Sequence, residues 1–174
     1  MDLLIVSGLS GAGKSVAMNA LEDIGFFCID NVPAELLPSI TAFSKAGDNQ
    51  LKRVALSMDV RGCRSKEEIE QGLEQLDQQG ISYEILFLDA SDDVLVKRYK
   101  ETRRSHPLAV GGRIDKGIAL EREAIDFLKK KSDYIIDTSS LLTRDLRQEI
   151  ERIFVNDELS LIHISEPTRL QLIS

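Results

Sequence analysis

Eight consecutive residues, Gly8-Leu9-Ser10-Gly11-Ala12-Gly13-Lys14-Ser15, match the spacing G-x-x-x-x-G-K-S/T at every fixed position. That order of residue types suits the holding of phosphate groups. Glycines let the backbone curl close around an anion with no side chain in the way. Successive N–H groups then point inward as a nest, and the helix that follows adds its free N–H groups and positive dipole end. Lys14 is placed to neutralise β and γ phosphates, and the Ser15 hydroxyl to ligate Mg²⁺. The implied ligand is a nucleoside triphosphate with Mg²⁺.

A metal-bound triphosphate needs an acidic partner, normally at the end of another strand. Asp59, after Ala55-Leu56-Ser57-Met58, and Asp89, after Ile85-Leu86-Phe87-Leu88, both fit. Each is also what a strand-terminal turn would use. Asp59 is preferred, because Val60, Arg61 and Gly62 make its loop look like a ligand loop. Asp30-Asn31 is a third acidic loop end, suited to an acceptor or to a turn. Lys97, Arg98, Lys100, Arg103 and Arg104 crowd one stretch with Glu101 as its only acid. Arginine forks match phosphate oxygens, so Arg98, Arg103 and Arg104 suit a lid over a transferred phosphoryl group. Arg103 joins Lys14 and Asp59 as the catalytic set, while Lys97 and Lys100 read as a solvated helix face. His106, before Pro107, reads as a loop residue rather than a base.

The elements that must carry these residues alternate. Short apolar runs over Leu3–Val6, Phe26–Ile29, Val54–Val60, Tyr83–Leu88 and Tyr134–Ile136 read as strands buried on both faces. Between them, helical patterns cover Lys14–Ile24, Val94–Tyr99 and Ile118–Lys131, with a last helix over Thr143–Phe154. Pro33 suits the first turn of a further helix, which Pro38 interrupts or restarts. Ser65 and Glu68 have capping-box spacing ahead of Ile69, Leu73 and Leu76. Ser105–Arg113, with Pro107, Gly111 and Gly112, reads as a mobile connection. The pattern predicts an α/β fold: a five-stranded parallel sheet with helices on both faces, in right-handed crossovers.

The chain has 174 residues, 43% hydrophobic and 29% charged, which suits one packed domain and excludes wholesale disorder. A net charge of −7 argues against a surface that binds polyanions everywhere. Only Cys28 and Cys63 are present, so there is no zinc-cluster spacing or disulfide framework, and a reduced, cytoplasmic setting is expected. The apolar run at the amino terminus breaks at Ser7-Gly8, too short for a signal peptide or membrane span. The expected domain runs over residues 1–158. Residues 159–174 form an atypical tail with Pro167 inside it, read either as a short strand over Leu161–Ile164 or as a non-native ending.

Five segments together are more specific than the loop alone: GLSGAGKSVAMNALEDIGFFCIDNVP at 8–33, SMDVRG, LFLDASDDVLVKRYKETRRSHPL, GIALERE and DYIIDTS. In order and spacing they closely resemble the RapZ family of P-loop nucleotide-binding proteins, also called RNase adapter proteins. The resemblance implies a P-loop NTPase fold of the nucleotide-kinase kind that binds and hydrolyses ATP and GTP. It maps the ATP loop onto Gly8–Ser15 and a second motif, assigned to GTP, onto Asp59, Val60, Arg61 and Gly62. It also implies a regulatory role, in one branch the presentation of small RNA to a ribonuclease. The family's second, carboxyl-terminal domain carries most RNA contacts and is expected to be absent from this chain. Slow NTP hydrolysis by a regulatory module is therefore the leading expectation. A small-molecule or nucleoside monophosphate kinase is the alternative, and an RNA-binding adapter the third reading.

Overall fold

A computed structural model describes residues 2–45, 52–59, 65–160 and 172–173. Six strands and six helices alternate: β1 (Asp2–Gly8), α1 (Lys14–Asp23), β2 (Phe27–Ile29), α2 (Leu37–Lys45), β3 (Arg53–Ser57), α3 (Lys66–Gln78), β4 (Tyr83–Asp89), α4 (Asp92–Thr102), α5 (Ile114–Lys131), β5 (Tyr134–Asp137), α6 (Thr143–Ser160) and β6 (Leu172–Ile173). Short 3-10 turns precede α2 and α5, at Ala34–Leu36 and Val110–Gly112.

The sheet order is β2-β3-β1-β4-β5-β6, with every pairing parallel. The five expected strands are all present. The sixth is a two-residue addition on β5, farther along the tail than the expected Leu161–Ile164, which lies outside the described residues. Leu3 to Leu9 are all buried, as a central parallel strand covered on both faces requires. The order places β1 between β3 and β4, and chain connections leave β1 and β4 in opposite directions. A crevice therefore opens at the carboxyl ends of these strands, where open α/β sheets bind ligands. Gly8 ends β1 on that edge, and Asp30, Asp59, Ala90 and Thr138 follow the ends of β2, β3, β4 and β5 there.

Several boundaries move from expectation. The third strand stops at Ser57 rather than Val60: Met58 N–H makes the last ladder bond, to Val6 O (2.9 Å), and the Ser57 carbonyl accepts from Val32 N–H of the loop after β2 (2.9 Å). α4 is longer than Val94–Tyr99. Ser91 is its N-cap residue, Asp92 and Asp93 favour its first turn, and Arg103 closes it in a left-handed conformation (φ 52°). α5 starts at Ile114, four residues before Ile118, running through Gly117 because that glycine sits against the His106 ring. α3 begins as its capping residues predict: Ser65 Oγ accepts the Glu68 N–H at 3.3 Å.

Cys28 lies on the edge strand β2, half-buried, with its Sγ donating to Met18 O at 3.4 Å. Burial, with Glu22 and Asp30 nearby, pushes its thiol up to about 11. The expected outcome is that peptide-mapped iodoacetamide labelling at pH 8 modifies Cys28 roughly a hundredfold more slowly than an unperturbed thiol, since only the thiolate reacts. Labelling at the ordinary rate would contradict this environment.

Candidate functional site: a glycine-rich anion loop

The loop between β1 and α1 is built by its backbone. Gly8 has φ 147°, and a Cβ there would lie 2.3 Å from Leu88 O. Leu9 N–H reaches the same carbonyl at 3.1 Å, so the loop starts locked to the end of β4. Ala12 N–H closes a turn on Leu9 O (3.0 Å). Leu9 and Ala12 are buried, so their side chains anchor the loop while their N–H groups brace it from within. Gly13 takes the left-handed conformation (φ 107°, ψ 22°) at the N-cap of α1, against Leu146 of α6.

α1 has no acidic residue in its first turn and no side-chain cap on its N-terminus. Its first-turn N–H groups and dipole are thus presented to the crevice with no internal carboxylate competing. Lys14, half-buried, and Ser15, exposed, open this helix. The arrangement is an electropositive cradle at a sheet edge, suited to anionic oxygens.

Three side chains from distant segments grip the loop. Arg98 of α4 donates from Nη1 to Gly11 O (3.0 Å) and to Thr138 Oγ1 (3.1 Å), and from Nη2 to Thr138 O (2.7 Å). Thr138 donates its hydroxyl to Ala12 O at 2.8 Å. Glu121 of α5 accepts the Ser10 N–H at 2.5 Å and the Ser10 hydroxyl at 2.7 Å. Arg98 was expected in a phosphate lid; here its guanidinium buckles the loop to the end of β5. Burial lowers its pKa from the ordinary arginine value, with Asp137 and Glu101 acting the other way.

The two strand-end carboxylates differ. Asp89 Oδ1 accepts from Arg122 Nη1 (2.9 Å) and Ala90 N–H (2.8 Å), and Oδ2 accepts from Lys129 Nζ (2.8 Å). Arg122 also ties Asp92 and the Ala90 carbonyl. Burial works against the Asp89 charge, but the hydrogen bonds from Lys129 and Arg122 outweigh it and hold its pKa below the usual carboxylate value. Lys129, in the last turn of α5, is thus part of this cluster. Asp59 follows β3, the strand beside β1, and lines a small cavity with Ser7, Met58, Ile69, Ile125 and Leu128. Val60, Arg61 and Gly62 lie outside the described residues.

Arg103 and Arg104 are exposed in the turn after α4. His106, expected as a plain loop residue, is buried at 3% exposure and packs on the Tyr99 ring. Glu121 was not singled out. One signal was available: it falls on the apolar stripe Ile118, Ile125, Leu128, where a carboxylate is out of place. No described helix is long and apolar enough to cross a membrane.

The sequence model of the RapZ-like N-terminal domain matches residues 1–158. A "Nucleotide-binding protein" of Agathobacter rectalis is 56% identical over 158 residues, covering 91% of this chain and 54% of that protein. One of the same description from Ruminiclostridium cellulolyticum is 50% identical over 159 residues, covering 91% and 55%. The chain thus spans about half the length of the curated relatives it matches. Among solved structures, a shikimate kinase of Acinetobacter baumannii in complex with shikimate superposes with a TM-score of 0.58 at 19% identity, covering 90% of this chain and 94% of that one. A shikimate kinase of Bacteroides thetaiotaomicron gives 0.56 at 15% identity, covering 91% and 98%. The fold is that of the P-loop NTPases, in its kinase-like form.

Proposed function

We propose, since this chain belongs to the RapZ-like N-terminal domain family, that it is a nucleotide-binding module that takes ATP and GTP and hydrolyses them slowly. The observation that carries this reading is the loop Gly8–Ser15 itself, seated at the crevice between β1 and β4 and opening a helix with no acid in its first turn. The loop Gly8, Leu9, Ser10, Gly11, Ala12 and Gly13 forms the cradle, braced through the Leu9, Ser10 and Ala12 N–H groups, and Lys14 meets the β and γ phosphates. Asp59, Val60, Arg61 and Gly62 form the second nucleotide segment, on the strength of the family resemblance.

Ser15 and Asp59 supply a hydroxyl and a carboxylate on neighbouring segments of one sheet edge. This small, oxygen-only donor set fits Mg²⁺, which keeps several waters and takes phosphate oxygens as its other ligands. Phosphate oxygens and water would complete the shell. The metal, when bound, spreads the negative charge that develops on the bridging oxygens. Asp89 is a poor candidate for the ligand or for a base, because Lys129, Arg122 and Ala90 already engage its oxygens. Arg103 is assigned to the transferring phosphoryl group through movement of the 103–113 connection. The proposed setting is the cytoplasm. RNA and ribonuclease are proposed partners of the full-length relatives, contacted mainly through the other half of their length.

The test is calorimetric titration of the wild-type chain and Lys14→Ala with ATP and GTP in Mg²⁺. Loss of a charge-assisted phosphate contact should weaken binding about 10- to 100-fold, from roughly 1.5–3 kcal/mol. A wild-type chain that binds neither nucleotide, or a variant that binds as tightly, would overturn the reading. The kinase-like fold motivates one alternative, transfer to a small acceptor. It predicts that an added sugar, hydroxy acid or nucleoside monophosphate speeds ATP consumption and emerges phosphorylated; water as sole acceptor would reject it.

A further inference from the structure

Glu121 has no solvent exposure, yet it stands among Ile118, Ile125 and Leu128 on the buried face of α5. A carboxylate in that position is costly unless its oxygens are satisfied. Both are spent on one residue of the phosphate loop, 111 positions away: Oε1 accepts the Ser10 N–H at 2.5 Å and Oε2 the Ser10 hydroxyl at 2.7 Å. On the other side of the carboxylate, His106 Nε2 lies 3.6 Å from Oε1 with both side chains buried. His106 Nδ1 accepts the Leu108 N–H at 3.0 Å, so the neutral ring carries its proton on Nε2, facing Glu121. Nε2 makes no hydrogen bond among the described residues and faces this carboxylate. Gly117 makes the approach possible, since a Cβ there would lie 2.6 Å from His106 Nδ1.

We propose that Glu121 is a positioning residue that ties the phosphate loop to the arginine-bearing connection 103–113, so that loop order and connection order rise and fall together. The inference deepens the nucleotide reading and rests on it for its functional meaning. Ser10 anchors one end of the link and His106 the other. A second contact runs parallel: the Tyr99 ring lies 5.2 Å from the His106 ring and within 3.5 Å of where a Gly11 Cβ would stand. The tip of the loop is thereby held from the same side that carries Arg103 and Arg104. A ligand that orders the loop also orders the connection, and by linkage the reverse holds.

Amide hydrogen exchange on the full chain without nucleotide tests the link in both directions. Ser10→Ala should speed exchange at residues 105–109, and His106→Asn should speed it at residues 9–13. Glu121→Ala should speed both by about tenfold or more, the scale of one lost charge-assisted hydrogen bond. Glu121→Gln should restore both towards wild type, because its amide can still accept from Ser10 N–H and donate to Ser10 Oγ. With ATP, the wild-type chain should gain protection at 105–109, and Glu121→Ala should lose that response. Silence in either segment when the other is altered would overturn the proposal. So would a rise spread evenly over the sheet amides, or a Gln variant no better than Ala. A wild-type chain that does not bind ATP would sink the nucleotide reading, while the ligand-free exchange pattern still decides the link.

Discussion

Gly8→Ala should lower the melting temperature more than an alanine at any other described glycine. The new Cβ would sit 2.3 Å from Leu88 O, 2.9 Å from Leu88 N and 3.0 Å from Leu88 C, all of them backbone atoms of the neighbouring central strand. Backbone cannot swing aside as a flexible side chain can. The φ of 147° is itself strained for an L-residue. Separating β1 from β4 would relieve the clash, but Gly8 pairs with Leu88 in the ladder and Leu9 N–H bonds the same carbonyl. The expected loss is about 3–5 kcal/mol, the sum of overpacking and backbone strain. For a domain of this size that is a drop on the order of 10 °C. Thermal unfolding followed by circular dichroism measures it, and a shift under about 3 °C would mean the strands part easily. Gly80→Ala is the control: it also has positive φ but nothing within 4 Å of its Cβ.

Asp89→Asn should give the next largest effect and make the chain less sensitive to acid. The carboxylate is the shared acceptor of Arg122 and Lys129, and its side chain is 13% exposed against 33% and 37% for theirs. Truncating a buried pair typically costs 3–5 kcal/mol; the partners' access to water reduces this to about 2–3 kcal/mol. The pH dependence follows from the direction of the shift. The folded-state pKa lies below the unfolded value because Lys129 and Arg122 outweigh the burial that opposes the charge. The stabilisation is therefore complete above the unfolded carboxylate range and is lost as pH falls through the folded pKa. Urea midpoints at pH 7 and at pH 3 should thus separate wild type from Asp89→Asn more widely at pH 7. An equal gap at both would show that the charge is not what stabilises the cluster.

Cys28, Lys14 and Asp89 illustrate three depths of legibility. The spacing of Gly8–Ser15 and the alternation of apolar runs with helical patterns are local properties of the chain, governed by glycine conformations, N–H geometry and side-chain period. The parallel α/β sheet and the loop's seat between a strand and a helix follow from such local features. Boundaries were less accessible: the end of β3 and the first turns of α4 and α5 depend on which neighbour takes each N–H or fills each gap, as Gly117 and His106 show.

Spacing along the chain was enough to make Gly8–Ser15 a cradle for anions, because the motif's backbone requirements are met within eight residues. Folding alone assigned the work of Arg98, Asp89, His106 and Glu121. The first was a lid candidate and became a buckle; the second was a metal-ligand candidate and became the centre of an ion cluster. The last two looked like a loop histidine and one more helical acid, and they meet beneath Ser10. The physical reason is separation: the contacts of Glu121 with Ser10 and of Arg98 with Gly11 span 111 and 87 positions. No periodicity reaches that far, and only the packing of α4 and α5 beside β1 and β4 brings those groups together.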